Sequence, residues 1–221
     1  MRIGLFGGTF NPIHYGHLRA AKEVCEGFDL QTLYFIPSAL PPHKDTQDVA
    51  SAADRLEMTR IAVSGDPEFI PSDVELKRPG LSYTIDTVKY FKKSLNIKTD
   101  LFLVMGIDAF LEIDTWKSFK QLFRMIPMIV MTRPPLQAES HSTGRKDMTA
   151  FIRKKISDAY RFSAGDGGYH CDGYQPVYLF NISMLDISAT KIRKRVQQGQ
   201  SIRFLVPERV KNYIHERGIY A

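Results

Sequence analysis

Along this chain, short apolar runs alternate with longer stretches in which apolar residues return every three or four positions. The runs Ile3–Phe6, Leu33–Ile36, Leu101–Met105, Met128–Met131 and Val177–Phe180 are rich in branched and aromatic residues and predict strands. Between the first two, Leu18, Ala21, Val24, Cys25 and Phe28 fall on one helical face. Ser51 is placed to cap a helix carrying Leu56, Ile61 and Val63, and Ile85, Val88, Phe91 and Leu95 mark a further helical stripe. Strand, helix and strand at this spacing predict an α/β fold: right-handed βαβ units building a parallel sheet with helices on both faces. In such sheets ligands bind beyond the carboxyl ends of the strands, which points to residues 7–17, 37–44, 106–116 and 132–134.

The C-terminal portion, 187–221, reads as helical. Ser188 is a plausible N-cap for "ATKIRKRVQQ", with Gly199 as its stop; Pro207 opens "PERVKNYIHER" and Gly218 ends it. Residues 136–175 read differently, as a loop-rich insertion around one helix near 148–160. The whole, 1–221, is expected to be a single domain.

Composition narrows this picture. Hydrophobic residues make up 43% and charged residues 24%, as in a soluble globular protein. No apolar run approaches the roughly 20 residues that span a bilayer, and "RIGLF" enters a strand without a signal-peptide layout. Cys25 and Cys171 lie far apart, which suits a reducing cytoplasm rather than a disulfide framework. The net charge of +6 is spread along the chain, with short clusters at 153–155 and 191–195 and no interleaved aromatics. It points to a phosphate-rich small substrate rather than to a nucleic acid.

The stretch "GGTFNPIHYGH", residues 7–17, carries the candidate chemistry. It matches neither the dinucleotide fingerprint nor the phosphate-binding loop that ends in Lys-Ser/Thr. Gly7 and Gly8 leave a strand where a ligand can approach the backbone. The next helix begins near Gly16–His17, and its free N–H groups and dipole favour an anion. His14 and His17 stand at that mouth. A zinc site would need a third ligand, yet no Cys, Asp or Glu lies between residues 3 and 22, and His43 is the other nearby candidate. Two histidines on a surface turn are the plainest alternative. The missing carboxylate fits a phosphate monoester nucleophile, which is largely dianionic at neutral pH and needs alignment and charge neutralisation rather than a base.

The segment "GGTFNPIHYGHL" also resembles the H-x-G-H signature of nucleotidylyltransferases. With "IPSALPPHK" (36–44), "DRLEMTRIA" (54–62), "ELKRPGLSYTIDTV" (75–88), "LVMGIDAFLEIDTWKSF" (103–119), "VMTRP" (130–134) and "DISATKIR" (186–193), the chain is similar to the bacterial nicotinate-nucleotide adenylyltransferase family along most of its length. The resemblance implies a Rossmann-like fold. It implies transfer of AMP from ATP to nicotinate mononucleotide with Mg²⁺, giving nicotinic acid adenine dinucleotide and pyrophosphate, a step of NAD synthesis.

Residue by residue, the resemblance implies that His14 and His17 contact the ATP phosphates, with Gly7, Gly8 and Thr9 lining the phosphate path. Lys44 reaches a phosphate from a loop stiffened by two prolines, and Arg133 is a weaker phosphate candidate. Gly106 and Asp108 serve the nucleotide, where Asp108 can accept from a ribose hydroxyl, hold a hydrated Mg²⁺ or cap a helix. Ser188 and Thr190 offer hydroxyls and Arg193 its guanidinium fork. Tyr83 and Thr84 offer backbone N–H groups to the nicotinate carboxylate, and Trp116, the single tryptophan, stacks on the pyridine ring. Ala189 removes one hydroxyl from the family's usual run, and Asn11 stands where Asp is common.

The expected partners are ATP and nicotinate mononucleotide, with Mg²⁺ carried mainly by the ATP phosphates rather than by a protein metal site. Self-association is compatible with this; nucleic acid and membrane are not expected. Two competing readings differ in class. One is a sibling enzyme acting on nicotinamide mononucleotide or phosphopantetheine, the latter opposed by "SYTIDT" and Trp116. The other is a non-catalytic nucleotide sensor, opposed by the set His14, His17, Lys44 and Arg193.

Overall fold

All five apolar runs form strands: β1 (Arg2–Gly8), β2 (Thr32–Pro37), β4 (Asp100–Gly106), β5 (Met128–Thr132) and β8 (Val177–Asn181), with β3 (Phe69–Pro71), β6 (Arg161–Ser163) and β7 (Gly168–His170) added to them. The structure, a computed structural model, describes residues 1–40, 49–96, 98–132 and 141–221. Among these residues the strands make one sheet in the order β3-β2-β1-β4-β5-β8-β7-β6. The first six in that order run parallel, and β7 and β6 are antiparallel to their neighbours. The order 3-2-1-4-5 is that of a Rossmann-like sheet, whose winding reverses between β1 and β4.

The helices are α1 (Tyr15–Phe28), α2 (Ala52–Val63), α3 (Thr84–Ser94), α4 (Ile107–Leu111), α5 (Phe119–Met125), α6 (His141–Lys155), α7 (Ala189–Gln197) and α8 (Glu208–Glu216). They cover both faces, so the strands bury both sets of alternating side chains and read as near-continuous apolar runs. Phe6, Phe35 and Val104 point to one core, shared with Val24 of α1, Met58 of α2, Ile192 of α7 and Ile214 of α8. Leu5, Leu103 and Val130 point to the other, shared with Val88 of α3, Phe110 of α4, Phe123 of α5 and Ile152 of α6.

Local signals set most boundaries. Ser51 Oγ accepts from the Asp54 N–H at 3.0 Å and so caps α2 as expected. Helix α1 starts earlier than the expected Gly16–His17, because His14 is its N-cap. Ser188 is the N-cap of α7, although its side chain makes no cap hydrogen bond. Gly199 and Gly218 take φ of +66° and +60° just beyond α7 and α8.

Two expectations need correction. Residues 141–170 are not loop-like around a helix near 148–160: the helix is His141–Lys155, and β6 and β7 form a hairpin that extends the sheet. The turn residues Gly165–Gly168 had read as loop, yet Gly167 at φ +67° closes the hairpin. Short strands of three residues leave too little alternation to be read from sequence.

Candidate active site

At the reversal between β1 and β4, the strand ends open a cavity of about 310 Å³. Gly7, Gly8 and Thr9 from the end of β1, Gly106 from the end of β4, Tyr83 and Thr84 from the start of α3, and Trp116 all line it. Residues up to 109 positions apart in sequence, expected to serve one nucleotide pair, thus face one space. A Cβ on Gly7 or on Gly106 would meet nothing within 4 Å, so both glycines stand at open, approachable backbone.

The turn that follows β1 is built around Phe10. Its backbone is left-handed, with φ +47°, and its side chain is buried. Its ring packs against Phe6 and Phe35 and lies 2.9 Å from where a Cβ on Gly8 would sit, so residue 8 must be glycine for the turn to close this tightly. The chain is thereby aimed into α1 with the two histidines at its mouth. The His14 N–H donates to His17 Nδ1 at 3.3 Å, and the His17 N–H donates to the His14 carbonyl at 2.9 Å. With Nδ1 accepting, a neutral His17 carries its proton on Nε2, where it can donate to a ligand oxygen. The Phe10 ring meets His17 edge-on at 5.1 Å and fixes its plane.

Arg193 is brought to this turn from α7. Its guanidinium donates to the Asn11 carbonyl at 3.0 Å and approaches Thr190 Oγ1 at 3.5 Å. Asn11 Oδ1 in turn accepts from the Ala50 N–H at 3.0 Å and from the Tyr220 hydroxyl at 2.7 Å. The histidine-bearing turn is therefore held by α7, by the residue before α2's cap and by the C-terminal tail.

The far wall of the cavity is held by a second network. Tyr83 caps α3 without a side-chain hydrogen bond, leaving the first-turn N–H groups uncapped by it. Thr87 Oγ1 donates to the buried carboxylate of Glu75 at 2.6 Å, while Arg78 donates to Thr87 Oγ1 at 3.1 Å. Lys117 sits with its Nζ 4.4 Å from the centre of the Tyr83 ring and 3.3 Å from Asp86. Trp116, half-buried, lies beside it. Ser38 Oγ, another lining group, is buried with no hydrogen-bond partner among the described residues.

Not every expected residue gathers here. Asp108 is exposed in the first turn of α4 and does not line the cavity; neither do His14, His17, Ser188, Thr190 or Arg193, which stand on the α1 and α7 side. Lys44 and Arg133 lie outside the described residues, as does His43. Sequence reasoning missed Phe10, Glu75, Ser82, Lys117 and Arg55. Lys117 had a signal, since it adjoins Trp116; a buried arginine on α2 had none.

A parallel sheet with glycines at its reversal, histidines at a helix mouth and an aromatic-walled cavity define a nucleotide-binding α/β site. Residues 5–195 match the model of the Cytidylyltransferase-like family, and the chain belongs to it. It is 41% identical over 222 residues, covering 100% of both chains, to a protein of Desulfatibacillum aliphaticivorans named probable nicotinate-nucleotide adenylyltransferase. It is 41% identical to a Pseudomonas fluorescens protein of the same name, covering 99% of this chain and 97% of the other. Its fold is similar to that of the Plasmodium falciparum nicotinic acid mononucleotide adenylyltransferase complexed with NaAD, with a TM-score of 0.71 at 17% identity over 99% and 97% of the two chains.

Proposed function

We propose that this protein is a nicotinate-nucleotide adenylyltransferase, transferring AMP from ATP to nicotinate mononucleotide and releasing pyrophosphate. The observation that carries the reading is that one cavity at the β1–β4 reversal is lined both by Gly7, Gly8 and Thr9 and by Tyr83, Thr84 and Trp116. Full-length relatives bearing that name support it.

In this reading the 5′-phosphate of the mononucleotide attacks the α-phosphorus of ATP. The new phosphoanhydride bond forms as the bond to the β-phosphate oxygen breaks, and pyrophosphate carries away that electron pair. No side chain need remove a proton from a phosphate dianion, so the protein's task is alignment and charge stabilisation. Gly7, Gly8 and Thr9 line the path of the phosphates. His17 Nε2–H donates to a phosphate oxygen, with His14 stacked behind it. Lys44 supplies a further cation, Arg193 with Ser188 and Thr190 closes the α7 side, and Arg133 is a weaker contact. At the other end, Trp116 stacks on the pyridine ring, and the first turn of α3 at Tyr83 and Thr84 receives the nicotinate carboxylate.

Mg²⁺ would enter on the ATP phosphates. Among the described residues no three His, Cys, Asp or Glu side chains stand together as a metal cage, whereas Asp108 offers one exposed carboxylate beside Gly106. That donor set suits a hydrated ion shared with phosphate oxygens, and the ion supplies neutralisation of their charge. No described helix is long and apolar enough to cross a membrane, and with two free thiols the reading sets the enzyme in the cytoplasm.

The test is pyrophosphate release from ATP, Mg²⁺ and nicotinate mononucleotide. Turnover by the wild type is expected. Nucleotide binding without turnover would replace the enzyme with a sensor.

A further inference from the structure

Arg55, in the first turns of α2, is 1% exposed, which for an arginine is exceptional. No carboxylate lies within 4 Å of its guanidinium among the described residues. It is satisfied by backbone carbonyls: Nε donates to Ala50 at 2.9 Å, one terminal nitrogen to Thr9 at 2.8 Å and the other to Ala39 at 3.2 Å. A planar fork can reach three carbonyls in three directions; a lysine ammonium on a single stem cannot hold the same geometry. Burial opposes its charge, and the carbonyl dipoles offset that cost.

The three carbonyls belong to two connections at the carboxyl edge of the sheet: Thr9 to the one between β1 and α1, Ala39 and Ala50 to the two ends of the one between β2 and α2. Thr9 follows β1 and lines the cavity, in the segment assigned above to the phosphates. Ala39 follows β2, and its own N–H donates to Ser82 Oγ at 2.9 Å. The Leu40 N–H shares that hydroxyl at 3.4 Å, and the Ser82 N–H donates back to the Leu40 carbonyl at 3.1 Å. Ser82 leads directly into Tyr83 and Thr84, which line the same cavity. A continuous chain of bonds thus runs from the phosphate loop to the mononucleotide segment, with Arg55 as its one long link.

We infer that Arg55 is a positioning residue that sets the register between the two substrate subsites, through Thr9 on one side and Ala39 with Ser82 on the other. The inference rests on the proposed transfer reaction. In-line attack needs the nucleophilic oxygen and the α-phosphorus held to a fraction of an ångström, and a misplacement of about 1 Å can cost roughly 10²-fold in rate. Each subsite is built from its own strand ends and helix start. Loss of the link should leave each substrate bound and misalign the pair.

The test uses the full chain and compares Arg55→Lys, Ser82→Ala and the double variant, with thermal unfolding measured for each. Arg55→Lys should lower kcat roughly 10- to 100-fold while KM for ATP and for nicotinate mononucleotide each stay within about threefold. Ser82→Ala should lower kcat by a smaller factor, Ser82→Thr should restore it, and the double variant should fall little below Arg55→Lys, because both cut one chain. A purely structural arginine would lower the folded fraction and leave kcat per folded molecule unchanged. A folded Arg55→Lys with kcat within twofold of wild type overturns the inference, as do losses that multiply in the double variant. Should Arg55→Lys not fold, an unchanged kcat in Ser82→Ala overturns it alone. A wild type that never releases pyrophosphate overturns the reaction itself, and the inference with it.

Discussion

The imidazoles of His14 and His17 lie face to face, ring centres 3.7 Å apart and planes inclined by 23°. His14 is buried and His17 half-exposed, so the first backs the second at the mouth of α1. The pair is a layered donor, with the outer ring held by the inner ring, by the backbone and by Phe10.

His17→Ala removes the outward donor, the acceptor of the His14 N–H at the start of α1, the stack on His14 and edge contacts with Phe6 and Phe10. The expected result is a loss of about 10²–10³ in kcat, the usual cost of one preorganised donor, with the unfolding temperature lowered by about 2–4 °C through the lost cap. Steady-state pyrophosphate release together with a thermal melt checks both halves.

Gly16→Ala separates stability from alignment at the same place. Its Cβ would stand 3.0 Å from both Cε1 and Nδ1 of the His14 ring, close enough to push the ring by a few tenths of an ångström. Alanine is favoured over glycine in a helix by about 1 kcal/mol, which offsets strain in the folded state. A protein of near-native stability with kcat reduced roughly tenfold is the expected outcome, measured by the same pair of assays.

Trp116→Ala should act on one substrate. Stacking of a ring on tryptophan contributes about 1–3 kcal/mol, so KM for the mononucleotide should rise about tenfold or more while KM for ATP changes little. Full saturation curves in each substrate distinguish this from a general loss of fold.

Asp54 connects α2 to α8, and its carboxyl sits below the usual range because Ser51 Oγ donates to it, with further help from the Tyr213 hydroxyl at 2.9 Å and from Arg217. A carboxyl with a depressed folded value contributes stability that is present above its unfolded value near 3.8 and lost as pH falls through the lower folded value. Asp54→Asn should therefore cost about 1 kcal/mol at pH 7 and progressively less as pH falls below 3.8, measured by urea unfolding at a series of pH values. A constant difference across that range would contradict the linkage.

The two cysteines should differ in reactivity. Burial pushes the Cys25 thiol up to about 12, on the buried face of α1 at 3% exposure, whereas Cys171 is half-exposed. A thiol reagent at pH 8 should label one site in the folded protein, Cys171, and two after unfolding; peptide mapping identifies which.

Much of this was legible in the sequence, for physical reasons. Strands buried on both faces wrote themselves as apolar runs, and the glycines, histidines and Trp116 lie in short segments whose order already suggested a nucleotide site. What stayed hidden depends on distant chain segments meeting. Arg55 reads as an ordinary helix charge, since nothing local says that Thr9, Ala39 and Ala50 will turn their carbonyls to it. Phe10 reads as a turn residue until its ring is seen closing on Gly8. The hairpin at 161–170 stayed hidden because three-residue strands carry almost no alternation, and its glycines suggest loop as readily as turn.

The most direct test of the account compares initial rates with nicotinate and nicotinamide mononucleotides at fixed ATP and Mg²⁺. In the proposed reading the nicotinate carboxylate meets the N–H groups at the α3 start, and replacing it with an amide forfeits charge-assisted hydrogen bonds of about 1.5–3 kcal/mol. The account predicts kcat/KM higher for the nicotinate form by roughly 10- to 100-fold. Equal rates, or a preference for the amide, would contradict it.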